Sequence, residues 1–586
     1  MDATNYNYRE PTEEEQEDFR DIMQVFGQAQ LWRNTFASQW EEVAALVLPN
    51  SVNTFYYGSY NWPGQKKTHL QIDASGMMAL HRFGAILDSL LTPRNMIWHQ
   101  LTSENPEVAK DRQARLWYED VTRRLFQLRY SAVANFSSQN QQNYQSLGAF
   151  GTGAMFVDQA VDAAGLPMRA LRYRAIPLGE LFLLENHQGL IDGFIRWFRL
   201  TARQAKAKWP DRFPAALAPA LDQQSQQPFN FLHYVCPRAD YVPGRLDEKG
   251  KMFRSVYASV EGQCILAEGG YNTFPVAASR YDQAPNEVYG RSPAMMVLPA
   301  LKTLNAEKSV FLKQGHRAAD PVLLTADDGI VGASLRPGAL NKGGVTADGK
   351  PLIHILPTGN HQITIDMMDR EKSLIDDAFL VSLFQILTES PQMTATEVVE
   401  RTNEKGILLA PTVGRQQSEY LGPMIDRELS LMAQMGLLPP MPPILRQLKG
   451  DYHVQYTSPL SRAQRAQEVA GFARTVETVL TLVNATQDPS LLDPFDFDTA
   501  IRDMATIQAV PESWMADDKS IQQKRQNRAQ SQERQQQIQE APAKAAMIKA
   551  QAVAAKASPG GVAQGFRGGA TGAPQPQVQQ QGGPPQ

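Results

Sequence analysis

Apolar residues recur at helical spacing through the first 150 residues of the chain. Thr12 and Glu15 have the three-residue spacing of a capping box, which marks the start of a helix. An apolar and aromatic stripe follows, from Phe19 to Val47. Stripes of this kind usually pack into a protein core, so this part is predicted to be helical. Further helices are predicted at residues 74–91, 106–130 and 132–147.

The pattern changes near Gly151, where apolar and polar residues begin to alternate. Leu171, Tyr173 and Ala175 alternate with arginines, which is the two-residue period of a strand. We therefore predict a small β-domain up to about residue 275 and an α+β, mainly helical fold overall. Within this domain we expect strands at residues 193–200, 231–236 and 253–260, a turn at 185–189 and a short helix at 201–208.

Two long helices are predicted on either side of a Gly- and Pro-rich excursion. Ser292 suits an N-cap and Pro293 suits the first helical position of a helix that runs to about residue 317. Pro299 should kink this helix or delay its true start. The excursion holds short strands near 322–325 and 352–356, and a second helix is expected at about 366–387. At 1.5 Å per residue each helix spans roughly 33 to 38 Å, which favours an antiparallel pair with a small module at its far end.

The C-terminal third is helical and then polar. Thr394 and Glu397 form a second capping box, and a helix at about 414–435 ends at Gly436 before a proline cluster. Two more helices are predicted at 459–485 and 496–505. Residues 521–557 favour a helix that is polar on all sides, and the Gly-, Pro- and Gln-rich end is expected to be disordered.

Composition excludes several classes of protein. The 586 residues carry a formal net charge of −4, and no stretch approaches the roughly 18 apolar residues of a membrane helix. The acidic start of the chain is the opposite of a signal peptide. Cys236 and Cys264 are expected to be inert thiols, too few for a disulfide framework or a four-thiolate zinc site. Near-neutral charge disfavours tight, static nucleic-acid binding and leaves transient or sliding contact with a polyanion open.

The sequence offers little chemistry of the kind enzymes use. Residues 344–351 have the spacing of a phosphate-binding loop, but proline stands where the hydroxyl residue should hold magnesium, so Asp348 and Gly349 are interpreted as a hairpin turn. The nine histidines show no metal-ligand spacing, and no nucleophile elbow is present. We therefore expect no catalytic residue, metal or cofactor.

The order of these elements resembles the portal, or head-to-tail connector, proteins of short-tailed bacteriophages. The features that carry the resemblance are the Tyr289-Gly290-Arg291 entry into a long helix, the Gly/Pro-rich excursion with its return helix, the Met393-Thr394-Ala395-Thr396-Glu397-Val398 helix start, and the Gln/Ala-rich tail. Pro299 and a short loop without Lys or Arg after the second helix depart from the pattern.

The resemblance implies a ring-forming subunit with wing, stem, clip and crown regions. It places a helical part to about 150 and a β-domain at about 151–275 within a wing of residues 1–291. Stem helices would then lie at 292–317 and 362–387, a clip at 318–361, a tunnel loop at 388–393, further wing helices at 394–458, a crown at 459–520, a polar tail helix at 521–557 and a disordered tail at 558–586.

The resemblance also implies a function and partners. Twelve subunits would form a ring at one capsid vertex of the virion, assembled in the host cytoplasm, through which double-stranded DNA is packaged and ejected without sequence specificity. The other partners would be the terminase packaging motor, tail adaptors, and the major capsid and scaffolding proteins. The candidate DNA-channel residues are Lys302, Lys308, Lys313, Glu389, Ser390, Gln392 and Met393, and the candidate docking residues of the clip are Arg336, Asn341, Lys342 and Lys350.

Other interpretations of the sequence stay open at this stage. The three lysines of the first stem helix form either stacked cationic rings or a solvated or intersubunit helix face. The chain as a whole is either a portal, a structural adaptor that scaffolds other proteins, or, less in keeping with its motifs, a nucleic-acid-processing enzyme. A ring of fixed symmetry would distinguish a portal from an adaptor, and ATP hydrolysis would favour an enzyme.

Overall fold

The computed structural model describes residues 12–56, 64–162, 165–325, 334, 336–342, 344–357, 361–382, 410–447, 452–457, 459–508 and 510–556. The chain divides into two compact units, residues 1–512 and 513–586.

Helices form the N-terminal part, as the apolar stripes predict. The Thr12 hydroxyl accepts from the Glu15 backbone N–H at 3.3 Å, and the Glu15 carboxylate accepts from the Thr12 N–H at 3.1 Å, which confirms the capping box. The helix predicted at 106–130 is interrupted, because Asp111 is extended and its carboxylate caps Ala114 N–H at 2.9 Å. The helices are α1 (Glu13–Val47), α2 (Ser75–Leu91), α3 (Pro106–Lys110), α4 (Arg112–Arg129) and α5 (Phe136–Phe150).

Two antiparallel sheets form the β-domain. The order is β3-β2-β9 in the three-stranded sheet and β4-β5-β6-β7-β8 in the five-stranded sheet, so neighbours in the larger sheet follow one another along the chain. The predicted strands, the turn at 185–189 and the short helix are confirmed. The strands are β2 (Thr152–Val161), β3 (Pro167–Ala175), β4 (Leu181–Glu185), β5 (Ile191–Thr201), β6 (Pro228–Pro237), β7 (Phe253–Ser259), β8 (Cys264–Tyr271) and β9 (Val276–Arg280), and the helices between them are α6 (Ala202–Lys208) and α7 (Ala218–Asp222).

A helix pair follows the β-domain. Its first helix is broken into α8 (Pro293–Met296) and α9 (Leu298–Ala319), and the second is α10 (His361–Ala378). Pro299 therefore delays the start of the long helix, as predicted, because a proline without an N–H is tolerated only in the first turn. The second helix begins before the predicted residue 366, and a turn at 379–380 interrupts it where Leu380 has a positive φ of 62°.

The chain after the helix pair returns to the first part of the molecule. Strand β1 (His99–Thr102) pairs antiparallel with β12 (His453–Tyr456), so segments far apart in sequence share a sheet. Helical residues 410–415 lead into a π-helix (Gln416–Leu421), followed by α11 (Gly422–Gln434) and α12 (Pro443–Gln447). Pro423 explains the π-helix, because its ring clashes with the carbonyl four residues before it and it has no N–H to donate.

The last described helices are long and exposed. They are α13 (Pro459–Thr486) and α14 (Phe497–Ile507) in the first unit and α15 (Asp518–Lys556) in the second. Each lies where the sequence predicts a helix. Among the described side chains of residues 471–486, each is at least partly exposed.

The main hydrophobic core lies where the N-terminal helices, β2, the beginning of α9 and helix α11 meet. A second cluster packs the first half of α1 on one face of the five-stranded sheet, with Phe26 against Phe182 at a ring-centroid distance of 4.9 Å. The third lies on the other side of that sheet, under α6, around Trp209 and Phe231. The main core holds the start of the helix pair against the β-domain.

Candidate functional site

The start of the helix pair is fixed by a close contact between two glycines. A Cβ on Gly290 would lie 2.2 Å from the carbonyl oxygen of Gly151, and a Cβ on Gly151 would lie 2.3 Å from that of Gly290. Gly151 also has a positive φ of 74°, which favours glycine. The Ser292 hydroxyl donates to Ala149 O at 2.8 Å and accepts from Met295 N–H at 3.0 Å, so the predicted N-cap is confirmed and tied to α5.

The two long helices pack against each other as an antiparallel pair. Burial, and then the nearby Glu371 carboxylate, raise the pKa of Glu307. Glu307 lies twelve residues before the end of α9 and Glu371 ten residues after the start of α10, as antiparallel packing requires. The buried residues of α9 end at Leu304, so the far part of the pair projects beyond the main core.

The three lysines predicted to line a channel do not share one face of α9. At about 100° per residue, Lys302 and Lys313 lie within about 20° of each other, and Lys308 lies about 120° away. Lys302 forms an ion pair with Glu42 of α1 at 2.6 Å, with both side chains about half exposed. The structure therefore divides the lysines into one face with Lys302 and Lys313 and another with Lys308, which is half-buried.

A small module connects the far ends of the two helices. Its described part contains the antiparallel strands β10 (Leu323–Thr325) and β11 (Ile353–Ile355). The residues with phosphate-loop spacing form a hairpin turn, as predicted, with Thr346 N–H donating to Lys350 O at 2.9 Å and Gly349 at a φ of 78°.

The candidate docking residues lie on the surface of this module. The Asn341 side chain accepts from Ser334 N–H at 2.8 Å and donates to Ser334 O at 3.0 Å, so it closes a loop. Arg336, Lys342 and Lys350 are exposed. The exposed Asp348 lies in the same hairpin turn as Lys350, so one of these three cations stands beside an acidic side chain.

The predicted tunnel loop lies outside the described residues. This applies to the segment 388–393, with Glu389, Ser390, Gln392 and Met393, and to the capping box that begins at Thr394.

A buried ion pair joins the N-terminal helices to α11, beside the base of the pair. Arg129 donates to the Glu428 carboxylate at 3.0 Å through Nε and again through a second nitrogen, and both side chains are fully buried. Tyr173 also donates to Glu428, at 2.5 Å, and burial followed by that carboxylate raises the pKa of Tyr173 well above its ordinary value. Burial, then the Arg129 charge, lowers the pKa of His99. This cluster fixes α4, β3 and α11 relative to one another.

Two further buried arginines link separate elements of the fold. Arg33 of α1 donates to Gly179 O at 2.9 Å and lies 4.0 Å from the Phe182 ring centroid. Arg280 of β9 donates to Glu419 of the π-helix at 3.1 Å. Sequence analysis missed these residues, although Arg33 occupies a position of the apolar stripe of α1 at helical spacing, and that was a usable signal.

Within the described ranges, no group of three or more His, Cys, Asp or Glu side chains is arranged to hold a metal ion. Of the helices in those ranges, none combines the length and the apolar character that crossing a membrane requires.

Comparison with known proteins gives consistent matches over most of the chain. The family model for bacteriophage head to tail connecting proteins matches residues 20–515. The "Probable portal protein" of Bordetella phage BPP-1 is 27% identical over 502 residues, covering 83% of this chain and 86% of the relative. The "Portal protein" of Salmonella phage epsilon15 is 27% identical over 525 residues, covering 87% and 90%.

Solved structures of gene transfer agent particles also match. The neck of an empty particle, computed with C6 symmetry, is 12% identical with a TM-score of 0.30, covering 68% of this chain and 86% of that chain. The virion of a native particle is 11% identical with a TM-score of 0.31, covering 69% of this chain and 85% of that chain.

Proposed function

The chain belongs to the family of bacteriophage head-to-tail connecting proteins, and we propose that it is the portal of a tailed-phage virion. In this role, copies of the chain close into a ring at one capsid vertex, and duplex DNA is packaged and ejected through the central channel. Beside the family, the supporting observation is the antiparallel pair α9 and α10, which projects past the main core and carries a small module with three exposed cations at its far end.

Ring closure accounts for the surface of the helix pair. Apolar side chains stand exposed on both helices, among them Val310 at 58% and Ile363 at 58%. In a ring every copy presents one face to the copy before it and another to the copy after it, so such surface is covered in each subunit. We take twelve as the number of subunits from the resemblance to portal proteins.

We propose that the helix pair lines the channel and that Lys308 faces the DNA. Lys302 is held by Glu42, and Lys313 shares its face. Lys308 lies on a different face of α9, about 40° from the buried Leu304 and half-buried, so the end of its long side chain is the part that would reach the channel. One lysine from each copy would form a cationic ring that attracts phosphates without reading bases. Such a ring holds DNA weakly enough for it to slide, and the formal net charge of −4 for the whole chain fits that requirement.

The tunnel loop remains a proposal that rests on the resemblance alone. Residues 388–393 would face the DNA at the inner end of the channel, with Glu389, Ser390, Gln392 and Met393 as the contacts. None of the four is a cation, so they would give little grip on phosphate, in keeping with a sliding contact.

We propose that the module between the helices docks the packaging motor and, later, the tail adaptors. Its exposed Arg336, Lys342 and Lys350 favour a partner with an acidic surface. The Asn341 bonds to Ser334 hold the loop that carries Arg336 and leads into Lys342. Since we assign no nucleotide site to the chain, the force for packaging would come from the docked motor. The major capsid and scaffolding proteins would surround the ring in the virion, after assembly in the host cytoplasm.

The test places a photo-activated crosslinking amino acid at position 308 of the full chain, in particles stalled during packaging. The proposal predicts crosslinks to DNA from position 308 in the assembled particle. Matched probes replace Lys302, which binds Glu42, and Lys249, an exposed lysine of the β-domain, and both should give little crosslinking. Equal crosslinking from all three positions would contradict a DNA-facing Lys308. No crosslinking from any channel position would favour a structural adaptor.

A further inference from the structure

The two long helices carry opposite charge. Helix α9 has four Lys or Arg side chains against one Glu, a net charge of +3 with histidine neutral. Helix α10 has five Asp or Glu against one Arg and one Lys, a net charge of −3. Within one subunit these helices already pack against each other, so each still has an outer face that points away from its partner helix.

The outer face of α9 is cationic with one apolar residue. At about 100° per residue, Lys313, Arg317 and Val310 lie on the side away from the buried Leu304. Val310 is 58% exposed, although valine is among the residues most often buried in proteins. Nearer the base, the same face is occupied by α1 through the Lys302–Glu42 pair, so the open surface is the far half of the helix.

The outer face of α10 is apolar and acidic. Ile363 and Met367, one turn apart, are 58% and 49% exposed, and Asp366 lies beside them. Ile363 and Asp366 lie on the side away from the buried Met368 and Ile375, and Met367 lies about 90° from them, at the edge of that face. This face has the two properties that the outer face of α9 would need in a partner: apolar side chains to meet Val310 and negative charge to meet Lys313.

The two outer faces also match in height. Counting from the neighbouring pair Glu307 and Glu371, Lys313 lies six residues further along α9 and Asp366 lies five residues back along α10. The two side chains are therefore at the same level to within about one residue rise of 1.5 Å. The heights of Val310 and Met367 match equally closely. A rotation about an axis parallel to the helices preserves these heights, so the match is kept between one copy and the next.

We propose that the far half of α9 in each subunit packs against the far half of α10 in the next copy of the chain. Lys313 pairs with Asp366 of the neighbour, and Val310 packs against the neighbour's Met367 and Ile363. The contact is heterologous, with different faces on its two sides, which is the type that closes into a cyclic ring. This inference rests on the proposed ring, and it assigns Lys313 and Arg317 to the contact between subunits, leaving Lys308 for the channel.

The test is a charge swap in the full-length chain, with the fraction of rings measured by solution mass against protein concentration. Lys313→Glu and Asp366→Lys alone should each raise the concentration at half-assembly about tenfold, since each replaces attraction by repulsion at every interface. The double variant, which restores opposite charges at every interface, should return close to the wild-type value. Lys249→Glu and Glu104→Lys make the same charge changes at exposed positions away from the helix pair and should assemble like the wild type.

The outcomes separate this inference from the proposed function. Suppose that the wild type forms rings but the single variants assemble as well as their controls, or the double variant assembles as weakly as the single variants. Either result would show that the α9–α10 contact is wrong, while the proposed ring would be unaffected. If the wild type forms no ring with its capsid and scaffolding partners, the proposed function fails and the contact fails with it.

Discussion

Arg129 and Glu428 form an ion pair with both side chains fully buried, although 299 residues separate them in the chain. The pair joins the last residue of α4 to the middle of α11, so it ties the segment before the long helices to the segment after them. Burial alone would lower the pKa of Arg129, but the Glu428 carboxylate outweighs it and raises that pKa. Arg129 therefore stays charged in the interior, where it depends on Glu428 as its hydrogen-bond and ion-pair partner.

Removing one partner should destabilise the protein strongly. Arg129→Met leaves the Glu428 carboxylate buried without its cation, and we expect the free energy of unfolding to fall by about 3–5 kcal/mol. Denaturant unfolding measures this change. Arg124→Met, on the same helix, removes a pair with Asp120 in which both side chains are exposed by more than 40%, and should cost less than about 1 kcal/mol. Similar losses in the two variants would contradict the role given to the buried pair.

The contact between Gly151 and Gly290 predicts a second sensitive position. Gly290→Ala brings a methyl group against the backbone of Gly151, which has no flexible side chain to move aside. We expect thermal unfolding to show a loss of about 1–3 kcal/mol. Gly315→Ala in α9 is the matched control, because nothing lies within 4 Å of its Cβ, and helix propensity predicts a gain of up to about 1 kcal/mol. If Gly290→Ala left the stability unchanged, the start of the helix pair would not be held by this contact.

Two buried histidines predict a loss of stability in mild acid. Burial, followed by the charges of Lys208 and Arg196, lowers the pKa of His233 well below its ordinary value of 6.5, and the pKa of His99 is lowered in the same way by burial and Arg129. Below about pH 6.5 the unfolded chain binds a proton on each histidine and the folded chain does not. The free energy of unfolding therefore falls as the pH decreases from 7 to 5.

Variants separate this effect from the titration of carboxylates. His233 hydrogen-bonds Ser255 Oγ at 2.9 Å and stacks on Tyr257 at 4.0 Å, so His233→Gln keeps a polar group but removes the titration. Its pH dependence between 7 and 5 should be shallower by up to about 1.4 kcal/mol per pH unit. His187→Gln, at an exposed turn, should follow the wild-type curve. Parallel curves for all three proteins would show that His233 does not contribute.

The exposed cations of the module predict a change in docking without a change in assembly. Lys350→Glu reverses a charge at an exposed hairpin turn, so the ring should keep its mass while its affinity for the packaging motor falls severalfold and becomes less sensitive to salt. Lys249→Glu in the β-domain is the matched control and should leave motor binding unchanged. A Lys350→Glu ring that binds the motor as before, at every salt concentration, would exclude this surface as the docking site.

Local sequence patterns predicted most of the helices and strands. They did not predict contacts between residues that are far apart in the chain. Ser292 and Pro293 predict where the helix pair starts, because an N-cap forms between residues that are close together in the chain. By contrast, the pairing of His99 with Tyr456 follows from how the chain returns to its start, which no local pattern encodes. The same holds for Arg129 and Glu428, since charged residues are ordinarily assigned to the surface.

The helix pair and its connecting module were predicted in outline, and the directions of their side chains were not. Lys302, Lys308 and Lys313 were grouped because they recur along one helix, but their spacing of six and five residues does not keep them on one face. The ion pair of Lys302 with Glu42 depends on α1 lying beside α9, which only the packed structure reveals. The module at the far end and its hairpin turn were predictable, because Gly and Asp determine turns locally.

The most direct test of the portal account is electron microscopy of the purified full-length chain, combined with its mass in solution. The account predicts closed rings of a single symmetry, with α9 and α10 of every copy around a central hole wide enough for duplex DNA. A homogeneous monomer or dimer that stays ringless with its capsid and scaffolding partners, or a ring whose helix pairs lie on the outside, would contradict it.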